Sequence, residues 1–191
     1  MFNEQIQSTR AAQKEATRTK VLDTAYDLFV SRGYAEANVR AIAREANVSV
    51  GTVMNVGDKQ SLLIQTIWHR IAVMHDELRG QSDSLLDILN PFLDMFTGQE
   101  ELSRAFGAAL ISQGNNGESL RELQALLVDE IVLRLGGKLS DDDAQEFALV
   151  LYNMYLGLLL GWAAGVYDTD ELTGYADTSI ARLSIAFGVD Q

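Results

Sequence analysis

The amino-acid sequence predicts an all-α fold of about nine helices. Apolar residues recur at spacings of three and four along most of the chain, while the alternation typical of strands is almost absent. One proline in 191 residues leaves most helical segments uninterrupted. A hydrophobic share of 47% is large enough for a real core. These observations together favour a helical protein with a small N-terminal domain and a larger second domain.

The first helix is predicted over residues 15–32, preceded by a flexible N-terminal arm over 1–14. Apolar residues from Val21 to Phe29 have helical spacing, and Gly33 ends the segment. Asn38 can cap a short second helix whose inner face includes Ile42 and Ala46.

A tight turn follows, because Asn47 tolerates a left-handed backbone. Ser49 can cap a short third helix that reaches about Met54. Gly57 breaks that helix, and Asp58 can cap a long fourth one. The remaining helices are predicted over 83–97, 100–113, 117–136, 141–166 and 169–187.

The charge is divided unevenly along the chain. Residues 1–60 hold 8 Lys and Arg against 7 Asp and Glu, net +1, whereas residues 61–191 hold 7 against 20, net −13. Such asymmetry indicates two regions with different partners, since an anion can approach the first and is repelled by the second.

Two other features of the composition bear on the cellular location. The chain has no cysteine, which excludes a disulfide framework and cysteine-based zinc sites and fits a reducing compartment. The first twenty residues are polar and lack the apolar segment of a signal peptide. We therefore expect a cytoplasmic protein.

The second and third predicted helices and their turn have helix-turn-helix geometry, which presents the start of the later helix to the DNA major groove. Its short residues let the backbone approach base edges; they are Ser49, Val50, Gly51 and Thr52. The Thr52 hydroxyl can hydrogen-bond, and Val50 or the Thr52 methyl group can meet a thymine methyl group. Basic residues around the unit are candidates for phosphate contacts; they are Arg18, Arg40, Arg44 and Lys59.

Residues 17–63 resemble the DNA-binding domain of the TetR (tetracycline-repressor-like) family of bacterial transcription regulators. The resemblance rests on "R..VL..A..LF...GY", "V..IA..A.VS.GTV" and "DK..LL". It implies a three-helix DNA-binding domain over 15–60 and a larger helical ligand-binding and dimerisation domain over 61–191. It also implies a recognition helix over Ser49–Asn55, with Val50 and Thr52 facing bases and Arg40 and Lys59 facing phosphates.

The sequence departs from the family pattern at the end of the predicted recognition helix. The family usually carries an aromatic residue where Met54 stands, and that residue tends to contact the DNA backbone. The junction "MNVGDK" is also one residue shorter than usual. We therefore expect one fewer backbone anchor and a more mobile end at Gly57.

Residues 147–167 carry no charge, and 21 residues are enough to span a bilayer. Both flanks are acidic, and no Lys or Arg anchors either end, which argues against a span. A bundle helix that is buried all round has the same pattern. We therefore predict that the last two helices form an isologous dimer interface, with glycines that permit close crossing. The contact residues would be Val150, Met154, Gly157, Leu158, Gly161 and Trp162.

A small-molecule site is expected between the helices of residues 62–136. Its lining would be Trp68, His75, Phe92, Phe96 and Phe106, although each of these residues taken singly also fits an ordinary core. No phosphate loop, HExxH or nucleophile elbow is present. The sequence therefore predicts neither an enzyme nor a cofactor or metal site.

The predicted protein is a cytoplasmic, homodimeric transcription regulator. It would be a repressor that a small-molecule effector releases from double-stranded operator DNA. Two alternatives stay open: a constitutive DNA-binding protein without an effector, and a membrane-associated helical protein anchored through 147–167.

Overall fold

The computed structural model describes residues 2–78, 85–112 and 118–189, and most of them are helical. Within these ranges the helices are α1 (Phe2–Arg32), α2 (Val39–Glu45), α3 (Val50–Val56), α4 (Lys59–Leu78), α5 (Leu85–Thr97), α6 (Glu100–Ser112), α7 (Glu118–Leu135), α8 (Asp141–Ala163) and α9 (Thr169–Phe187). One isolated bridge, between Gly136 and Leu139, is the only extended pairing there. The predicted all-α class of about nine helices is confirmed.

The chain divides into two compact units, Met1–Ile71 and Ala72–Gln191. The division falls inside α4, about ten residues beyond the domain boundary that the sequence predicts at 60/61. The first unit therefore contains α1, α2, α3 and most of α4.

The N-terminus differs from the predicted flexible arm over 1–14, because α1 begins at Phe2. Residues 2–32 contain neither glycine nor proline, and residues 10–20 are mainly Ala, Gln, Glu, Lys, Arg and Thr. Most of these residue types have high helix propensity. The helical stripe of apolar residues begins only near Val21, so periodicity alone could not locate the start of the helix.

The core of the first unit is formed by apolar side chains from all four of its helices. Those that are almost completely buried are Val21, Leu22, Ala25, Phe29, Ile42, Ala46, Val53, Leu62 and Leu63. The ring of Phe29 also meets that of Tyr34 edge to face, with 5.3 Å between centroids. These contacts fix α2 and α3 on the scaffold of α1 and α4.

In the second unit α8 packs against α6, α7 and α9. Its inner face is aromatic and aliphatic and includes Phe147, Leu151 and Tyr155. The Tyr155 hydroxyl donates to the carbonyl of Leu89 at 3.1 Å, and burial raises its pKa well above the usual value. The ring of Phe147, near the start of α8, lies 5.4 Å from that of Phe187, the last residue of α9, so the two helices are antiparallel.

The glycines of α8 differ in their surroundings, which corrects the expectation that they jointly permit a close crossing. Gly161 is covered by the ring of Tyr167 from its own chain, and a Cβ atom there would collide with that ring. The Tyr167 hydroxyl is held in place because it donates to the carbonyl of Leu158 at 2.6 Å. Gly165 has a φ of 75° and ends the helix, whereas the space beside Gly157 is open.

Gly161→Ala is expected to destabilise the protein by about 1–3 kcal/mol, because the added methyl group must displace the Tyr167 ring. Urea unfolding measures the effect. The matched control is Gly107→Ala, which adds the same methyl group within α6, where the nearest atom lies 4.0 Å away. Without the Tyr167 ring, in a Tyr167→Ala background, Gly161→Ala should cost little stability. If it cost as much there as in the wild type, the collision would not be the cause.

Candidate nucleic-acid interface

The connection between α2 and α3 is a tight, fully hydrogen-bonded turn. Asn38 caps α2, since its side chain accepts from the backbone N–H of Ala41 at 3.0 Å. After α2, Asn47 takes a φ of 53°, and the N–H of Val48 donates to the carbonyl of Ala43 at 2.9 Å. This is the left-handed helix ending that the sequence predicts, with Asn in the place that Gly most often fills.

Ser49 begins the next helix by capping α3. Its hydroxyl accepts from the backbone N–H of Thr52 at 2.9 Å and lies 2.8 Å from the Thr52 hydroxyl. Both predicted caps, Asn38 and Ser49, are therefore confirmed. The Thr52 side chain is half-buried, and its hydroxyl is already engaged with this cap.

Helix α3 buries one side chain completely and leaves four of its seven residues exposed to solvent. Val53 is completely buried, whereas Val50 is 44% exposed and Met54 is 51% exposed. Gly51 and Asn55 are also exposed and lie on the side opposite Val53. A seven-residue helix thus leaves two large apolar side chains about half exposed to solvent.

Gly51 and Gly57 differ in whether the packing around them requires a glycine. A Cβ atom on Gly51 would meet only the Ser49 hydroxyl oxygen, at an ordinary 3.6 Å. A Cβ atom on Gly57 would lie 2.8 Å from the Cβ of Ser61 and 3.1 Å from Nε2 of Gln65. The fold therefore requires Gly57 for close packing, but it does not require Gly51.

The end of α3 is fastened to α4 by the side chain of Gln65. Its Nε2 donates to the carbonyl of Val56 at 2.9 Å, and its Oε1 accepts from Nη2 of Arg18 at 3.1 Å. Asp58 caps the first turn of α4, accepting from the N–H of Ser61 at 2.8 Å, and these hydrogen bonds lower its pKa. The junction predicted to be mobile at Gly57 is instead closely packed against Ser61 and Gln65 of α4.

Lys59 is engaged within its own chain. Its Nζ donates to the carbonyl of Ala35 at 3.0 Å and lies 4.5 Å from the centroid of the Tyr34 ring. Burial and the nearby Asp58 carboxylate raise the pKa of Tyr34. An ammonium group has three donors, so a phosphate contact from Lys59 stays a prediction beside this observed role of fixing the α1–α2 connection.

The three arginines predicted to contact DNA phosphates differ in whether they already have partners within the protein. Arg40 and Arg44 lie one turn apart on α2, are exposed, and form no ion pair with any side chain that the structure describes. Arg18 is half-buried and holds both Gln65 and, at 3.2 Å, the carboxylate of Glu15. The residues that the sequence could not reveal here are Gln65 and Tyr34, because their partners are distant along the chain.

Comparison with known proteins bears directly on this part of the chain. Residues 21–55, from the middle of α1 almost to the end of α3, match a family model described as bacterial regulatory proteins, tetR family. The match covers 35 residues, and over this segment the chain is similar to the tetR family. The model describes regulatory proteins, which agrees with the prediction from the sequence of a regulator rather than an enzyme. A search of curated proteins gives no match.

Solved structures extend the comparison beyond the matched segment. The chain is similar to Thermus thermophilus FadR, a TetR-family transcriptional repressor in complex with lauroyl-CoA, with a TM-score of 0.63 and 24% identity over 83% of this chain and 90% of that one. It is similar to a transcriptional regulator from Rhodococcus sp. Rha1, with a TM-score of 0.62 and 19% identity over 91% and 99% of the two chains. It is also similar to the fatty acid degradation regulator FadR of Bacillus halodurans, with a TM-score of 0.55 and 18% identity over 84% and 93%. The tetR-family fold therefore extends over most of the chain.

The residues predicted to line a ligand site are mostly buried. In the second unit Phe92, Phe96 and Phe106 are all buried, and the rings of Phe96 and Phe106 stack with centroids 6.0 Å apart. In the first unit the indole Nε1 of Trp68 is buried and has no hydrogen-bond partner among the described residues. The side chain of His75 lies outside those that the structure describes.

The residues predicted to form the dimer interface do not all share one face of α8. Val150 and Gly157 are exposed, Met154, Leu158 and Gly161 are half-buried, and Trp162 is buried. The indole N–H of Trp162 donates to the Thr169 hydroxyl at 3.2 Å, so this side chain closes the turn to α9 within its own protomer. Trp162 is therefore a core residue rather than an interface anchor.

The antiparallel pair α8–α9 leaves large apolar side chains exposed along its length: Val150, Leu160, Val166, Tyr175 and Ile185. In length and composition α8 is, among the described helices, the one that could cross a membrane. That is weak evidence, because the core helix of a soluble protein meets the same criteria. Here one face of α8 is packed by α6, α7 and α9, so only its outer face is exposed.

Proposed function

We propose that this tetR-family chain binds double-stranded operator DNA as a homodimer and represses transcription until a small molecule binds. The observation that carries the DNA-binding part is the outer surface of α3. One buried valine holds that helix, while Val50, Gly51, Met54 and Asn55 remain available to a groove. A helix presented in this way, after a tight turn, is the arrangement by which helix-turn-helix proteins read base edges.

The electrostatic part of the proposal rests on α2. Arg40 and Arg44 stand one turn apart with no carboxylate partner among the described side chains. In a helix-turn-helix unit the first helix crosses the DNA backbone, so both guanidinium groups would meet phosphates. The rest of the chain is strongly acidic, which orients the first unit toward the DNA.

The test is selection of duplexes from a random pool with the wild-type protein, followed by affinity measurements across salt concentrations. Each phosphate contact contributes about −0.9 to the slope of log K against log salt. Arg40→Ala/Arg44→Ala should therefore make the slope shallower by about 2 for each bound protomer. The control, Arg104→Ala/Lys138→Ala, removes the same charge from the second unit. Failure of the wild-type protein to enrich any duplex would overturn the proposed function.

The dimer would form through the outer face of α8 and α9. Exposed apolar residues lie on both helices, among them Val150 and Ile185, and a self-complementary patch of this kind suits an isologous interface. Two protomers would then place their α3 helices in successive major grooves, about 34–36 Å apart. A cytoplasmic location follows from this role.

The effector part of the proposal rests on Trp68. A buried N–H without an acceptor costs about 1–3 kcal/mol, and a bound ligand with an acceptor atom would satisfy it. The Thermus repressor of the same fold was obtained with lauroyl-CoA, which supports control by a small molecule without assigning an acyl-CoA to this chain. Effector and operator affinities would be reciprocally coupled, with α4 as the segment that belongs to both units.

A further inference from the structure

Basic side chains form a continuous stripe along the N-terminal part of α1. Arg10, Lys14 and Arg18 follow one another at intervals of four residues within a single helix. Successive positions at this spacing differ by only about 40° around the axis and rise by about 6 Å. The three cations therefore occupy one face over about 12 Å. Arg10 and Lys14 are exposed to solvent.

The positive charge of the stripe is not neutralised by carboxylates at neighbouring positions of the helix. Glu15 is the only carboxylate between Arg10 and Arg18, and it pairs with Arg18 at 3.2 Å. Positions three and four residues from Lys14 hold Ala, Arg and Thr, and those around Arg10 hold Ile, Gln and Lys. Like charges at this spacing oppose helix formation, so the helix by itself gains nothing from the arrangement. An external anion would relieve the repulsion.

The stripe is also continuous with the proposed DNA surface. Arg18, its last member, donates to Gln65, and Gln65 donates to the carbonyl of Val56 at the end of α3. The basic face thus begins beside the C-terminal end of the proposed recognition helix and runs toward the N-terminus of α1. Within a chain of net charge −12, a cationic face at this position is complementary to a polyanion.

We propose that this stripe binds the phosphate backbone of the operator outside the base pairs that α3 reads. Arg10 and Lys14 are phosphate-contacting residues, and Arg18 joins their surface to that of the helix-turn-helix unit. The inference rests on the proposed function and deepens it, because it lengthens the contacted DNA without adding sequence readout.

The experiment compares wild-type protein with Arg10→Ala/Lys14→Ala on duplexes that the wild type has selected. Both substitutions favour helix, so circular dichroism should be unchanged. The expected slope of log K against log salt is shallower by about 2 for each bound protomer. The loss of affinity should appear on a duplex with long flanks and vanish on one trimmed to the selected base pairs. The control, Lys20→Ala/Arg32→Ala, removes two other exposed cations of α1 and should leave the flank effect intact.

The outcomes separate this inference from the proposed function. If Arg40→Ala/Arg44→Ala flattens the salt slope and Arg10→Ala/Lys14→Ala does not, the stripe is no DNA contact and only the inference falls. The same holds if the Arg10 and Lys14 variant alters self-association instead, which would make an acidic protein surface the partner of the stripe. If the wild-type protein enriches no duplex, both proposals fall.

Discussion

Gly51→Ala is expected to stabilise the protomer and to weaken DNA binding. Glycine inside a helix costs about 0.5–1 kcal/mol relative to alanine, and the space beside Gly51 admits a methyl group without collision. The free energy of unfolding should therefore rise by about that amount. On DNA the same methyl group would stand where the helix approaches base edges, and overpacking of this kind costs about 1–3 kcal/mol for each protomer. The dissociation constant should increase at least about tenfold.

Thermal unfolding and equilibrium DNA binding, measured on the same preparations, test this prediction. Gly107→Ala is the matched control, because Gly107 also lies within a helix and a Cβ atom there would meet its nearest neighbour only at 4.0 Å. It should give the gain in stability and leave the affinity for DNA unchanged. Equal DNA affinity of the Gly51 variant and the wild type would mean that this part of α3 does not approach the bases.

Ile185→Lys is expected to convert the proposed dimer into monomers and to abolish the tight operator binding that we propose. Ile185 is 80% exposed on α9, on the face that we propose as the interface. Burying an unpaired ammonium group there, once from each protomer, costs several kcal/mol, more than a patch of this kind can offset. A monomer contacts only one half-site and lacks the high effective concentration of a joined second reading helix. Operator affinity should therefore fall by about 100-fold or more. Sedimentation velocity and operator titration measure the two effects.

Leu133→Lys is the matched control for this substitution. Leu133 is 66% exposed on α7 and, like Ile185, lies two residues before the end of its helix. The new charge therefore meets the same helix-end electrostatics in both variants. A dimer that survived Ile185→Lys unchanged would show that the outer face of α9 is not the interface.

The local signals in the sequence were enough to predict both ends of α2 and the start of α3, but not the start of α1. Asn38 and Ser49 act on backbone groups within three residues, and Asn47 acts on its own backbone, so their roles follow from local rules. The role of Gln65 could not be predicted, because its partners, Arg18 and Val56, lie 47 and 9 residues away. Its side chain gains a role only when α1, α3 and α4 have packed together.

The inner face of α8 could not be predicted from its composition either. The helix is apolar almost all round, so its sequence contains little information about which residues turn inward. Trp162 is large and apolar and thus suited both to a core and to an interface. The decision depends on Thr169, which accepts its indole N–H, and on the turn that brings this residue near.

The bond from Gln65 to the Val56 carbonyl has a consequence for the kinetics of the DNA binding that we propose. A helix terminus that is ordered only on contact with DNA loses conformational entropy at that moment, which weakens the complex. Here the terminus is already fixed in the free protein, between the side chain of Gln65 and the close approach of Ser61 to Gly57. The proposed encounter with an operator would therefore require little rearrangement of α3. Its association rate should be set by diffusion and charge rather than by folding of the recognition helix.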